Sequence, residues 1–212
     1  MTTLWTPPKQ WEGQDAFLIG GGPSLTAFDF SRLRGRNVIG CNDAVFLGPE
    51  INSYVIFGDP SWWQKNRHTL EHYTGHLVTN CPGVLHFNIP NLFKMTRERD
   101  GIHSGTVLGW NYSTGAAAIN LAVSLGAMRI FLLGYDLGNK GTTSHWHKHN
   151  GKTTQEYAFQ RFMRGFAMIK TCLPKNVKVL NVTDGTSRLD CFERMPFEML
   201  ESVLNKNEEV AA

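Results

Sequence analysis

The chain has little of what would make it a disulfide scaffold, a membrane protein or a coat for nucleic acid. Its four cysteines, Cys41, Cys81, Cys172 and Cys191, lie far apart and never pair as Cys-x-x-Cys. That excludes a zinc ribbon and a small cross-linked fold, and it fits a reducing compartment, so a cytoplasmic location is expected. No apolar run approaches the ~20 residues of a membrane-spanning helix. Met1 to Pro8 show no basic stretch leading into an apolar one, so no secretory signal is expected. An excess of one charge is also lacking. The 21 Lys and Arg against 18 Asp and Glu leave +3, which helps to seat an anionic substrate but falls short of the basic bias of a nucleic-acid-binding protein, so nucleic acid is not the expected partner. No internal repeat interrupts the pattern.

What is present is an alternation of short apolar runs and longer helical periods. With 212 residues, 42% hydrophobic and 18% charged, the chain suffices for one α/β domain with a full core. A polar lead-in over 1–14 is expected to dock through Trp5 and Trp11. The domain spans 15–206, and 207–212 reads as a disordered tail. Strands are expected at 16–19, 37–42, 52–57, 76–80, 84–87, 128–134 and 177–182. Helices are expected at 24–34, after Pro60, at 113–125, 153–172 and 194–205. This order implies a Rossmann-like, mostly parallel, doubly wound sheet covered on both faces. Two stretches lack periodicity: 88–112, a candidate flap with Lys94, Arg97 and Arg99, and 138–150, a short lid rich in histidine.

The first strand runs into Gly20-Gly21-Gly22-Pro23-Ser24. Glycines followed by a proline at a helix start leave amide donors near a positive dipole end, a seat for phosphate. The plainer reading is a glycine turn chosen only for sharpness. A dinucleotide fingerprint is excluded, because Leu25 stands where the third glycine belongs and Asn42 ends the second strand. In a doubly wound sheet the other polar strand ends fall along the same edge: Asn42 and Asp43, Asp59, the helix start Ser113-Thr114-Gly115, and Tyr135-Asp136. Asn42 suits a base or ribose, since its amide both donates and accepts.

Two histidine sets need weighing. His68, His72 and His76 have helical spacing, but Thr74-Gly75 ends the helix before His76, so a solvated stripe is the favoured reading. His145, His147 and His149 alternate in the lid. They suit a catalytic base, a metal site with Asp136, or a basic loop that only attracts anions.

Gly-Pro-Ser-Leu after the first strand, Cys41-Asn42 after the second, Ser113-Thr114-Gly115 opening an alanine-rich helix, Leu125-Gly126, and Ile130-x-Leu132-x-Gly134-x-Asp136 together resemble bacterial sialyltransferases of the Campylobacter type, glycosyltransferase family 42. They equally resemble the related domain of flagellin-glycosylation Maf proteins and the archaeal hydroxymethyl-dihydropterin diphosphokinases. The resemblance covers roughly residues 15–190. It implies nucleotide binding through Gly21, Gly22, Ser24, Asn42, Asp43, Ser113, Thr114, Gly115 and Tyr135, with His145, His147 and Asp136 catalytic and a lid histidine as general base. Gly21 departs from the asparagine usual in the sialyltransferase loop, and the lid is short.

The leading expectation is therefore a nucleotide-dependent transferase moving a glycosyl group from a CMP-sialic-acid-like donor, with no cofactor required. Its partners would be a nucleotide or nucleotide sugar, in a chain that can form a homo-oligomer. The alternatives are pyrophosphoryl transfer from ATP, with Asp59 and Asp136 holding Mg²⁺, and a non-catalytic nucleotide- or nucleic-acid-binding accessory protein using the 88–112 loop.

Overall fold

The computed structural model describes residues 3–147 and 153–206. In chain order its strands are β1 (Asp15–Ile19), β2 (Val38–Cys41), β3 (Tyr54–Phe57), β4 (Leu77–Thr79), β5 (Leu92–Lys94), β6 (Thr96–Glu98), β7 (Val107–Gly109), β8 (Arg129–Leu133), β9 (Lys178–Thr183) and β10 (Glu193–Pro196). The helices are α1 (Pro60–Glu71), α2 (Thr114–Ser124), α3 (Glu156–Cys172) and α4 (Phe197–Lys206). Among the described residues, eight strands form one sheet in the order β10-β9-β8-β1-β2-β3-β4-β5, while β6 and β7 pair separately. Every pairing is parallel.

The apolar runs explain this sheet. Ala16 to Ile19 in β1 and Ile130 to Leu133 in β8 are buried at every position, as two-faced parallel strands require. Their side chains alternate between layers. Leu18, Ile39 and Leu132 pack with the small residues of α2 and with Phe166 and Ile169 of α3. Phe17, Ile19 and Phe131 pack on the opposite face with Leu200 and Leu204 of α4. From β1 the chain winds through β2 to β5 in one direction, then returns to β8 and winds the other way. The reversal lies between β1 and β8, where Ile19 is in register with Leu133. Ligand crevices open at such a switch point. No helix among the described residues is long and apolar enough to cross a membrane.

Several elements differ from expectation, each for a local reason. The helix expected at 24–34 is two 3₁₀ turns, Pro23–Leu25 and Phe30–Leu33. Thr26 Oγ1 bonds back to the Pro23 carbonyl, and the Asp29 side chain accepts from the Ser31 amide. Such local side-chain bonds compete with a continuing helix. The strand expected at 84–87 is absent, and Pro82–Val84 forms a tight turn instead. The 88–112 stretch contains three strands, each too short to show a period. The helix expected from 194 is preceded by β10, an edge strand whose Glu-Arg-Met-Pro sequence carries no apolar alternation. The lead-in docks as expected: Trp5 stacks on Phe93 at 4.6 Å, and the buried Trp11 donates its amide to Leu125 at 2.8 Å.

The 88–112 segment is also held from within. Fully buried Asn120 of α2 accepts from His103 N at 3.0 Å and Gly109 N at 2.8 Å, and donates to His103 O at 2.8 Å. Asn120→Ala strands these backbone groups and is expected to cost about 2–3 kcal/mol. The melting temperature by circular dichroism should fall roughly 5–10 °C; an unchanged melt contradicts the role given to Asn120.

Candidate functional site

A cavity of about 370 Å³ opens where β1 and β8 end. Its wall gathers residues from five separate strand ends and helix starts: Gly21 and Gly22, Asn42 and Asp43, Asp59, Ser113 to Gly115, and Tyr135, with His145 and His147 from the lid. Of the residues singled out in the sequence, Ser24 and Asp136 are not part of this wall, and His149 lies outside the described residues.

Ser24 and Asp136 hold each other. Asp136 is buried; its Oδ2 accepts from Ser24 N at 2.7 Å and its Oδ1 from Ser24 Oγ at 2.7 Å. Burial raises the Asp136 pKa, the two Ser24 bonds pull it back, and the Asp184 carboxylate adds to the rise. Gly22 is required beneath this pair, because a Cβ there would sit 2.5 Å from Asp136 Oδ2. The glycine loop is tied to the same neighbour: Gly20 N donates to Leu133 O at 2.8 Å and Gly22 N to Gly134 O at 2.7 Å. The amides expected to cradle phosphate thus join β1 to β8, and a three-residue 3₁₀ turn supplies little dipole. The other helix start has the stronger claim. Ser113 caps α2 by accepting from Ala116 N at 3.1 Å, and the first-turn residues Thr114 and Gly115 line the cavity. First-turn amides have no carbonyl partner within their own helix.

Asn42 stands at φ +52, a left-handed conformation that asparagine tolerates better than most residues. Its Oδ1 is buried and accepts no hydrogen bond among the described residues. Such an orphaned acceptor in a cavity wall is an incomplete polar contact. Tyr135 OH donates to Gly115 O at 3.3 Å, and burial pushes its phenol well above the ordinary range, so it stays neutral.

Asp43 is 3% exposed. Trp62 Nε1, from α1, donates to its Oδ1 at 2.5 Å, and His147 Nδ1 lies 3.1 Å from its Oδ2. His145 stacks on His147 with ring centroids 5.1 Å apart, and its Nε2 is 3.3 Å from Thr154 Oγ1. The ring also covers Gly21, where a Cβ would meet Nδ1 at 2.8 Å. That contact accounts for a glycine at this position. Burial lowers the His145 pKa, opposed by the Gly21 backbone and the Asp43 carboxylate.

Between the two histidines, Trp146 fastens the lid. Its backbone N–H donates to Gly21 O at 3.0 Å and its indole Nε1 to Gly20 O at 2.9 Å, and its ring packs on Phe30 at 4.8 Å. In the sequence it stands alone in a polar stretch, and no periodicity marks it. Trp110 and Tyr112, and Phe159, Arg161, Phe162 and Phe166 of α3, also line the cavity without having been singled out. The 3.6-residue period reveals the apolar face of α3 but not that part of this face borders a cavity.

The metal and nucleic-acid expectations meet side chains already engaged. Asp59 Oδ1 caps α1, accepting from Ser61 N at 2.8 Å, Ser61 Oγ at 2.7 Å and Trp62 N at 3.2 Å. Burial acts to raise its pKa, but these bonds outweigh it and the carboxyl sits below its ordinary value. No group of three or more His, Cys, Asp or Glu side chains among the described residues is gathered to hold a metal ion. In the 88–112 loop, the Arg97 guanidinium lies 4.1 Å from the Trp110 ring centre and donates to Asn80 O at 2.9 Å and to Gly58 O.

Two outcomes follow from this geometry. A histidine whose folded pKa is depressed below its ordinary value near 6.5 contributes stability that is present above that value and lost as pH falls through the folded pKa. The melting temperature should therefore drop as pH falls below about 6.5, and less steeply in His145→Gln; equal slopes would contradict the burial of His145. Trp146→Phe keeps the ring bulk but removes the indole donor. It should cost about 1 kcal/mol, read as a melt lower by roughly 2–4 °C, and an unchanged melt would show that the indole bond contributes nothing.

No family model matches the chain, and no curated protein matches it. Solved structures do share its fold. The sialyltransferase CstII from Campylobacter jejuni in complex with the substrate analogue cytidine-5'-monophosphate is 18% identical, with a TM-score of 0.53 over 87% of this chain and 85% of that one. CST-II with a trisaccharide acceptor and CMP is 17% identical, TM-score 0.52, covering 86% of each chain. CstII from Campylobacter jejuni with CMP-3FNeuAc is 15% identical, TM-score 0.51, covering 85% of each. At these identities the likeness establishes a common fold.

Proposed function

We propose that the chain transfers a glycosyl group from a CMP-sugar-like donor to an acceptor hydroxyl, with His147 as the general base. The observation that carries this is the chain of contacts from Trp62 through Asp43 to His147 at the wall of a switch-point cavity. A carboxylate 3.1 Å from one ring nitrogen favours the protonated ring, which suits an imidazole that takes up a proton. Asp43, anchored by the Trp62 indole, stabilises the imidazolium that forms when His147 Nε2 takes the acceptor proton. The acceptor oxygen bonds to the anomeric carbon while the bond from that carbon to the nucleotide phosphate breaks, and the phosphate leaves with the electron pair. The α2 N-terminus at Thr114 and Gly115 suits the charge growing on that phosphate. The orphaned Asn42 Oδ1 suits an amino or hydroxyl donor of the nucleoside. His145, kept neutral by burial, packs the ring of His147 in place.

No metal takes part on this reading, because Asp59 caps a helix and Asp136 is bound to Ser24. The fold shared with CMP-bound sialyltransferases supports CMP as the first nucleotide to try.

Thermal-shift measurements with CMP, CDP, UDP and ATP, each with and without Mg²⁺, test the reading. CMP without metal should raise the melt, and saturation at 100 times its Kd corresponds to about 2.7 kcal/mol. His147→Ala should retain that shift while turnover falls roughly 10²–10⁴-fold. A shift with ATP only when Mg²⁺ is present would replace this reading with pyrophosphoryl transfer, as in the diphosphokinase branch of the resemblance. No shift with any nucleotide at millimolar concentration would remove the transferase reading.

A further inference from the structure

The exposed side of α3 has a composition that the nucleotide pocket does not need. Tyr157, Arg161, Arg164 and Met168 recur at helical spacing, so they share one face. Tyr157 is 71% and Met168 43% exposed, and both arginines are exposed. Neither arginine has a carboxylate partner among the described residues. The one acidic residue of α3, Glu156, is held by Arg188 at 2.6 and 2.8 Å. An ordinary solvated helix face mixes both signs of charge; this one is cationic and aromatic.

The face is continuous with the cavity. Arg161 lines the cavity wall, and so does Tyr112. Gly165, one turn beyond Arg161, lets the 110–112 loop press on α3, since a Cβ there would collide with the Asn111 carbonyl and lie 3.4 Å from the Tyr112 ring. Asn111 and Tyr112 are both held at positive φ, 45 and 65, which fixes this approach. Tyr112 OH in turn accepts from Arg99 Nη2 at 3.0 Å. Tyr112 and Arg161 at the cavity wall thus continue into the exposed Tyr157 and Arg164 of α3.

We infer that this surface, Tyr112 and Arg161 at the cavity wall with Tyr157 and Arg164 beside them on α3, is the acceptor surface and that it takes a carbohydrate bearing an anionic group. The inference rests on the glycosyl-transfer reading. Flat aromatic rings offer apolar faces to sugar C–H groups, and unpaired guanidinium groups bind carboxylate or phosphate in a planar fork. The donor phosphate has its own seat at the α2 N-terminus, so the arginines are left for a second anion.

Calorimetric titration of the whole protein tests this with neutral lactose, with lactobionate as the carboxylate-bearing disaccharide, and with galactose 6-phosphate against galactose for the phosphate source. CMP is titrated separately into the same samples. At least one anionic sugar should bind more tightly than its neutral counterpart, and whichever does identifies the anion. The R161Q/R164Q double variant should weaken that binding by about tenfold or more, and R164Q alone, at a residue outside the cavity wall, should weaken it while leaving the melt and CMP affinity unchanged. Equal binding of neutral and anionic sugars, or anionic binding that survives the double variant, overturns the proposal. So does a loss of CMP affinity in R164Q, which would assign this face to the donor. A change in mass by light scattering would mark the face as a contact between copies and likewise overturn it. If CMP fails to bind wild-type protein while the anionic sugar binds through the arginines, the nucleotide reading fails and the anionic surface stands.

Discussion

The geometry of the cavity depends on Trp146. One residue joins the lid to the glycine loop through two hydrogen bonds, from its amide to Gly21 O and from its indole to Gly20 O. Because Trp146 lies between His145 and His147, the same attachment sets both imidazoles against the wall. The glycines answer to it: Gly21 has no side chain because His145 occupies that space. A loop that begins as a candidate phosphate turn is here the floor on which the lid rests.

Two buried carboxylates support that arrangement in different ways. Asp136 accepts twice from Ser24 and so bridges the segments that follow β1 and β8, closing the crevice from below. Asp43 accepts from the Trp62 indole of α1 and faces His147, so it couples α1 to the lid. A buried carboxylate left unpaired would be costly; both bonds to Asp136 come from Ser24, while Asp43 meets Trp62 of α1 and His147 of the lid. Losing one partner therefore disturbs the relation between elements as well as a single bond. The polar strand ends thus act as braces at one end of the sheet.

The sheet and most helices are legible in the sequence because two-faced burial leaves continuous apolar runs. Ala16 to Ile19, Ile130 to Leu133 and the alanine-rich α2 read correctly for that reason. The edges do not. β5, β6 and β7 have three residues each and β10 is polar with a proline, so no period can emerge. The switch-point logic also brings most of the expected polar residues to one cavity, since strand ends share an edge once the strand order is fixed. What the sequence hides is pairing at long range. Trp146 meets Gly20 across 126 positions and Ser24 meets Asp136 across 112. Helix and strand periods carry no information about such contacts. Nor do they show that Arg161 and Tyr112 share a rim, which follows from Gly165 admitting the neighbouring loop.

The central proposal is that Asp43 orients His147 for proton transfer, and Asp43→Asn tests it most directly. The amide keeps the shape and an acceptor oxygen but loses the charge that stabilises the imidazolium. Turnover should fall at least about 100-fold while the melting shift produced by CMP is retained, showing an intact fold and nucleotide site. Turnover within a few-fold of wild type, with His147 otherwise in place, would contradict it.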